Sequence, residues 1–160
     1  MNGRVLEVSA ERVALAILDE SVRPNGITIV SCADLTRLYS PMPYARFVER
    51  AMRLRDERFP RLGKIDLTSW RSVVTAAAKK AALVTIHVER RDPSVCYIGR
   101  PSQMDDLRLT LTTVSPNAEW EPEEPLVVPW RDVTRVDFGG AYEKALELVA
   151  GPAPRAPRPR

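Results

Sequence analysis

Asp34-Leu35-Thr36-Arg37-Leu38 and Asp132-Val133-Thr134-Arg135-Val136 share the pattern D-x-T-R plus an apolar residue, 98 residues apart. The same offset sets Tyr44 on Tyr142, and Phe47 and Val48 on Ala145 and Leu146, in the helical stretch after each motif. Upstream, Gly3-Arg4 matches Gly99-Arg100 at an offset of 96, which also sets Val13 on Leu109 and Leu15 on Leu111. A two-residue loop difference separates the offsets. A match kept in order across strand, strand, D-x-T-R and helix reads as a duplicated unit.

Working outward, residues 4–8 and 12–18 read as short strands, with Val13, Leu15 and Ile17 on one face by alternation. Arg23-Pro24-Asn25-Gly26 is a turn signal. Ile27 to Val30 is a strand and Leu35 to Tyr39 another; Pro41 and Pro43 stop the pattern. Tyr44, Phe47, Val48, Ala51 and Leu54 then form one helical stripe. The other side carries Arg46, Glu49, Arg50, Arg53 and Glu57, with Glu49–Arg53 and Arg53–Glu57 at ion-pair spacing. A second helix over 69–82 is capped by Thr68 or Ser69 and has the stripe Trp70, Val73, Val74, Ala77, Ala81. Strands return at 83–90, 95–99 and 107–112. An acidic, Pro-punctuated loop over 115–125 precedes strands at 126–128 and 133–138. The closing helix, 142–149, turns Ala145, Leu146 and Val149 inward.

A helix followed by five short antiparallel strands, ending in Asp132-Val133-Thr134-Arg135-Val136-Asp137-Phe138-Gly139-Gly140-Ala141-Tyr142-Glu143, resembles a bacterial family of Sm-like (Hfq/LSm-type) small β-barrels without an assigned function. The resemblance covers most of residues 1–150. It implies an α+β, β-rich fold: two tandem Sm-like small antiparallel barrels with three helices. Nothing before Gly3 leaves room for a preceding strand, so the first barrel is read as incomplete or as borrowing a strand. The units are 1–60 (first repeat plus helix), 61–150 (helix, second repeat, closing helix) and a disordered Pro/Arg tail, 151–160, sharing one core because each copy is under 80 residues. In RNA-binding Sm proteins the turn between the second and third strands carries an aromatic and Asn pattern; the matching Gln103-Met104-Asp105-Asp106 does not.

Composition bounds the function. Of 160 residues 44% are hydrophobic, enough for a packed core. The net charge of +3 equals the three arginines of the last ten residues, so residues 1–150 are neutral. No apolar run reaches a membrane span, and the N-terminus lacks the apolar region of a signal peptide, so a cytoplasmic location is expected. One His, and two Cys expected as buried free thiols, leave no metal or cofactor signature.

The candidate anion or nucleic-acid ligands are Arg37 and Arg135, one per repeat, and Arg46, Arg50 and Arg53 of the basic stretch 46–64. The bland alternative for Arg37 and Arg135 is an ion pair with Asp34 or Asp132. Glu119, Glu121, Glu123 and Glu124 form an opposing acidic cluster, and opposite patches on a neutral body suit self-association or a protein partner. His87, on the outward parity of its strand, has no nucleophile at readable spacing. The reading is a non-enzymatic interaction or regulatory scaffold; the alternative is an RNA- or DNA-binding protein using the 46–64 face.

Overall fold

The computed structural model describes residues 1–154. The expected tail therefore lies outside the described residues from Arg155 onward. Eight strands and three helices follow in order: β1 (Gly3–Val8), β2 (Arg12–Leu18), β3 (Pro24–Ser31), α1 (Ala45–Leu54), α2 (Trp70–Lys80), β4 (Val84–His87), β5 (Cys96–Met104), β6 (Arg108–Val114), β7 (Trp120–Pro129), β8 (Arg135–Phe138) and α3 (Ala141–Ala150). All strands join one antiparallel sheet, ordered β1-β2-β3-β8-β4-β5-β6-β7. The chain is α+β, as expected. The sheet is not closed: β1 and β7 are its two free edges.

Three expectations need correction. Leu35–Tyr39 is not a strand; it follows a 3-10 turn at Cys32–Asp34 and pairs with no strand, because β8 already occupies the edge of β3. The 115–125 stretch is not all loop. β7 starts at Trp120 and tolerates Pro122 and Pro125 because it is an edge strand. Pro24, Asn25 and Gly26 of the turn signal fall inside β3; the β2–β3 turn lies earlier, where Val22 adopts φ 60°.

α2 begins as expected, with Ser69 Oγ accepting the Ser72 N–H at 3.0 Å. It buries Trp70, Val73, Val74 and Ala77 against the sheet. The resulting core joins Ala14, Ile27 and Ile29 of the first strands to Val84, Ile86, Leu109, Leu111 and Val136 of the later ones. Each such aliphatic side chain stabilises the fold by about 1.5–3 kcal/mol. α1 seals a smaller cluster, Val48 and Met52 on Leu18; α3 another, Leu146 on Leu83 and Val114.

The two halves share detail at the two offsets. Bulges interrupt β1/β2 pairing at Val5/Glu7 and β5/β6 pairing at Pro101/Gln103. Ser9 Oγ accepts the N–H groups of Glu11 and Arg12; Asp105 Oδ1 accepts those of Leu107 and Arg108. Cys32 N–H donates to Glu11 O and Trp130 N–H to Leu107 O. The β1–β2 and β5–β6 hairpins therefore share their bulge and turn bonding at an offset of 96.

Candidate functional site

The five candidate arginines do not form one site. Arg135 sits mid-sheet with its side chain three-quarters buried. Its Nη1 lies 3.2 Å from Glu89 and its Nε 3.5 Å from Asp137; Nη2 reaches His87 Nδ1 at 2.9 Å. His87 keeps the outward parity of its strand yet is buried, its Nε2 2.8 Å from Asp137, which also accepts from the Thr28 hydroxyl. Both imidazole nitrogens therefore have hydrogen-bond partners within the sheet. Arg37 is exposed on the unpaired Leu35–Tyr39 segment, and Arg46, Arg50 and Arg53 on α1.

The ion pairs differ from those the spacing predicts. Neither D-x-T-R arginine meets its own aspartate. Arg90 donates to both carboxylate oxygens of Asp34, at 2.8 and 3.0 Å, which raises the Arg90 pKa; Arg91 lies 3.2 Å from Asp132. Glu57 turns from Arg53 to Arg23 and Arg55, which the bend after α1 brings closer. Among the described residues Arg37, Arg46, Arg50 and Arg53 make no ion pair.

A groove at the start of α2 gathers Arg12, Arg71, Arg90 and Arg131 beside Trp70 and Trp130. Arg12 stacks 4.6 Å from the Trp70 ring and donates to Leu67 O at 2.8 Å. Glu11, Asp106 and Asp34 neutralise Arg12, Arg71 and Arg90 in turn, so the groove is not a strong anion trap.

Sequence reasoning missed the apolar surface beside α1. The stripe is only partly inward. Val48 is buried, but Tyr44, Phe47 and Leu54 are 57%, 61% and 77% exposed, and Leu38 and Tyr39 of the neighbouring segment are exposed too. α3 repeats this: Leu146 is buried while Ala145 and Val149, expected inward, lie exposed with Tyr142. Periodicity identifies an apolar face, but not whether this chain supplies its cover. The Trp120 indole folds back and donates to Gly151 O at 3.3 Å.

Both cysteines are free, but Cys32 is half-buried and Cys96 exposed, a correction to the expectation of two buried thiols. Partial burial, then the Asp137 charge, pushes the Cys96 thiol pKa up. Cys96 is therefore expected to alkylate with iodoacetamide more slowly at pH 7.5 than a free thiol, its rate rising into the alkaline range. A faster rate at neutral pH, read by intact mass, contradicts this. Among the described residues no group of three His, Cys, Asp or Glu could hold a metal ion, and no helix is long and apolar enough to cross a membrane.

Fold and surface define an α+β protein on one open antiparallel sheet, with exposed apolar side chains on both α1 and α3. No family model, no curated protein and no solved structure matches the chain.

Proposed function

We propose that this chain is a non-enzymatic interaction protein that works through the apolar face beside α1, its architecture being two duplicated, tandem Sm-like units of which the first is incomplete. The observation that carries the reading is the exposure of Tyr44, Phe47 and Leu54 next to Leu38 and Tyr39. Five large apolar side chains within residues 38–54 stand in water, and exposed apolar surface of that kind marks an interface. The strand order β8-β4-β5-β6-β7 after α2 supports the Sm-like unit. The engaged nitrogens of His87 and the raised Cys96 pKa speak against acid–base or thiol catalysis. The triple variant Tyr44→Ser, Phe47→Ser, Leu54→Ser is expected to leave Tm within about 3 °C of the parent, since exposed substitutions rarely change stability. A loss of 8 °C or more means that the face belongs to the chain's own core, and sinks the reading.

Arg37, Arg46, Arg50 and Arg53, the candidate arginines that make no ion pair among the described residues, favour one second reading, a nucleic-acid backbone surface. Anisotropy of a labelled single-stranded RNA, titrated at low salt, separates the two. The interaction reading expects no saturable binding. Binding that falls at least tenfold in Arg50→Glu, Arg53→Glu and weakens steeply with salt moves the function to nucleic acid.

A further inference from the structure

Resting on that interaction reading, we propose that the partner of the α1 face is the surface of an anionic lipid bilayer, in whose plane the helix lies. Two stripes run side by side along α1. Tyr44, Phe47 and Leu54 stand exposed at i, i+3 and i+10, with the half-buried Ala51 between the last two. Arg46, Arg50 and Arg53, at i, i+4 and i+7, form the second stripe, and all three are exposed. Arg50 follows Phe47 by three residues and precedes Leu54 by four, so the stripes are neighbours on the helix surface. Val48 and Met52 hold the other side of the helix on Leu18 of β2. The sheet thus presents a fixed helix with a basic and an apolar stripe turned out together, the pattern of a helix that lies in a membrane interface.

Charge selects the lipid. Arg55, just past the end of α1, serves the fold: it donates to the carbonyl oxygens of Ala51, Ser21 and Val22 and pairs with Glu57. Arg46, Arg50 and Arg53 make no ion pair among the described residues, and neither does Arg37 on the segment that leads into the helix. Glu49 is the one acid within α1. Glu121, Glu123 and Glu124 belong to β7, at the other end of the strand order from β1 and β2. α3 is the internal contrast. It exposes Tyr142, Leu148 and Val149, but sets Glu143 and Glu147 against the single Lys144. An anionic surface attracts α1 and not α3.

Shape favours a fluid partner over a folded one. The main grooves among the described residues are lined without Leu38, Tyr39, Tyr44, Phe47 or Leu54. Anchors between folded proteins pair with well-packed pockets. Side chains that stand out from a helix need no pocket in a lipid interface, where the acyl chains close around them. Apolar insertion and attraction to anionic headgroups are each weak alone, and attachment takes both. The helix lies on the bilayer and does not cross it.

Flotation of the full chain with lipid vesicles tests this. Vesicles of phosphatidylcholine with about 30% phosphatidylglycerol are expected to carry the chain at about 50 mM salt and to release it at about 500 mM. Vesicles of phosphatidylcholine alone are expected to carry none. The combined variant Arg46→Glu, Arg50→Glu, Arg53→Glu and, separately, the triple serine variant are each expected to lower binding about tenfold or more. Leu148→Ser, Val149→Ser on α3 should leave it unchanged. No flotation with the anionic vesicles overturns the proposal, as does flotation that survives either triple variant. Saturable binding of labelled single-stranded RNA in place of vesicles also overturns it and hands the arginines to nucleic acid. The interaction reading falls separately, on the Tm loss of the triple serine variant; with that Tm kept and no flotation, only the lipid is wrong. Near-parental circular dichroism of the arginine variant rules out misfolding as the cause of its loss.

Discussion

Gly99→Ala is expected to destabilise the protein by about 3 kcal/mol or more, and Gly3→Ala by about 1. An added Cβ at Gly99 would lie 2.2 Å from Thr112 O and 2.9 Å from Thr113 Cα, both backbone atoms of β6. At Gly3 the geometry repeats, with 2.2 Å to Ala16 O and 3.2 Å to Ile17 Cα. No rotamer change relieves a clash with backbone, so the strands must separate. The difference lies in what separation disturbs. Gly99 pairs with Val84 on one side and Thr113 on the other, in the interior of the sheet. Gly3 ends an edge strand with a single neighbour, β2, and can lift away at the cost of its last ladder bonds. For a chain this size the larger loss lowers Tm by about 6–12 °C. Urea melts of the two variants decide it. Equal losses, or a Gly99→Ala midpoint near the parental one, contradict the account.

The two glycines also show where the sequence was legible. Gly3 and Gly99 were matched at an offset of 96, and in space each lies against backbone atoms that keep that offset, Ala16 O and Ile17 Cα for the one, Thr112 O and Thr113 Cα for the other. α2 was legible from its cap and stripe, since both are local. Leu35–Tyr39 was not. It carries the same D-x-T-R as β8, yet β8 is a strand because β3 and β4 flank it, and Leu35–Tyr39 has no neighbour on either side. Strand identity is a property of pairing, which a single segment does not encode. The same cause parts the two candidate arginines: flanking strands bury Arg135 among acids, and their absence leaves Arg37 in water. Residues 126–128 of β7 were legible as a strand; its first half, 120–125, was not, because Pro122 and Pro125 read as loop although an edge strand tolerates them.

Asp137→Ala is expected to cost about 2–4 kcal/mol, against about 1 for Asp137→Asn. Asp137, on β8 between β3 and β4, accepts from the Thr28 hydroxyl and pairs with His87 Nε2 at 2.8 Å, with the Arg135 guanidinium in a longer ion pair at 3.5 Å. Thr28 is 1% exposed and His87 9%, so water does not easily replace the lost acceptor. Arg135 keeps Glu89 at 3.2 Å, and the Asp137 side chain is itself 29% exposed, which places the loss below that of a fully buried ion pair. Asparagine retains one acceptor oxygen for Thr28 or His87 and fills the same space. The row also ties β3 to β8 and β4, so its loss falls on the strand that joins the two halves of the sheet. A double-mutant cycle with His87→Ala measures the share carried by that pair. A coupling below about 0.5 kcal/mol, with Asp137→Ala no worse than Asp137→Asn, would show that solvent satisfies these donors and that apolar packing alone holds the joint.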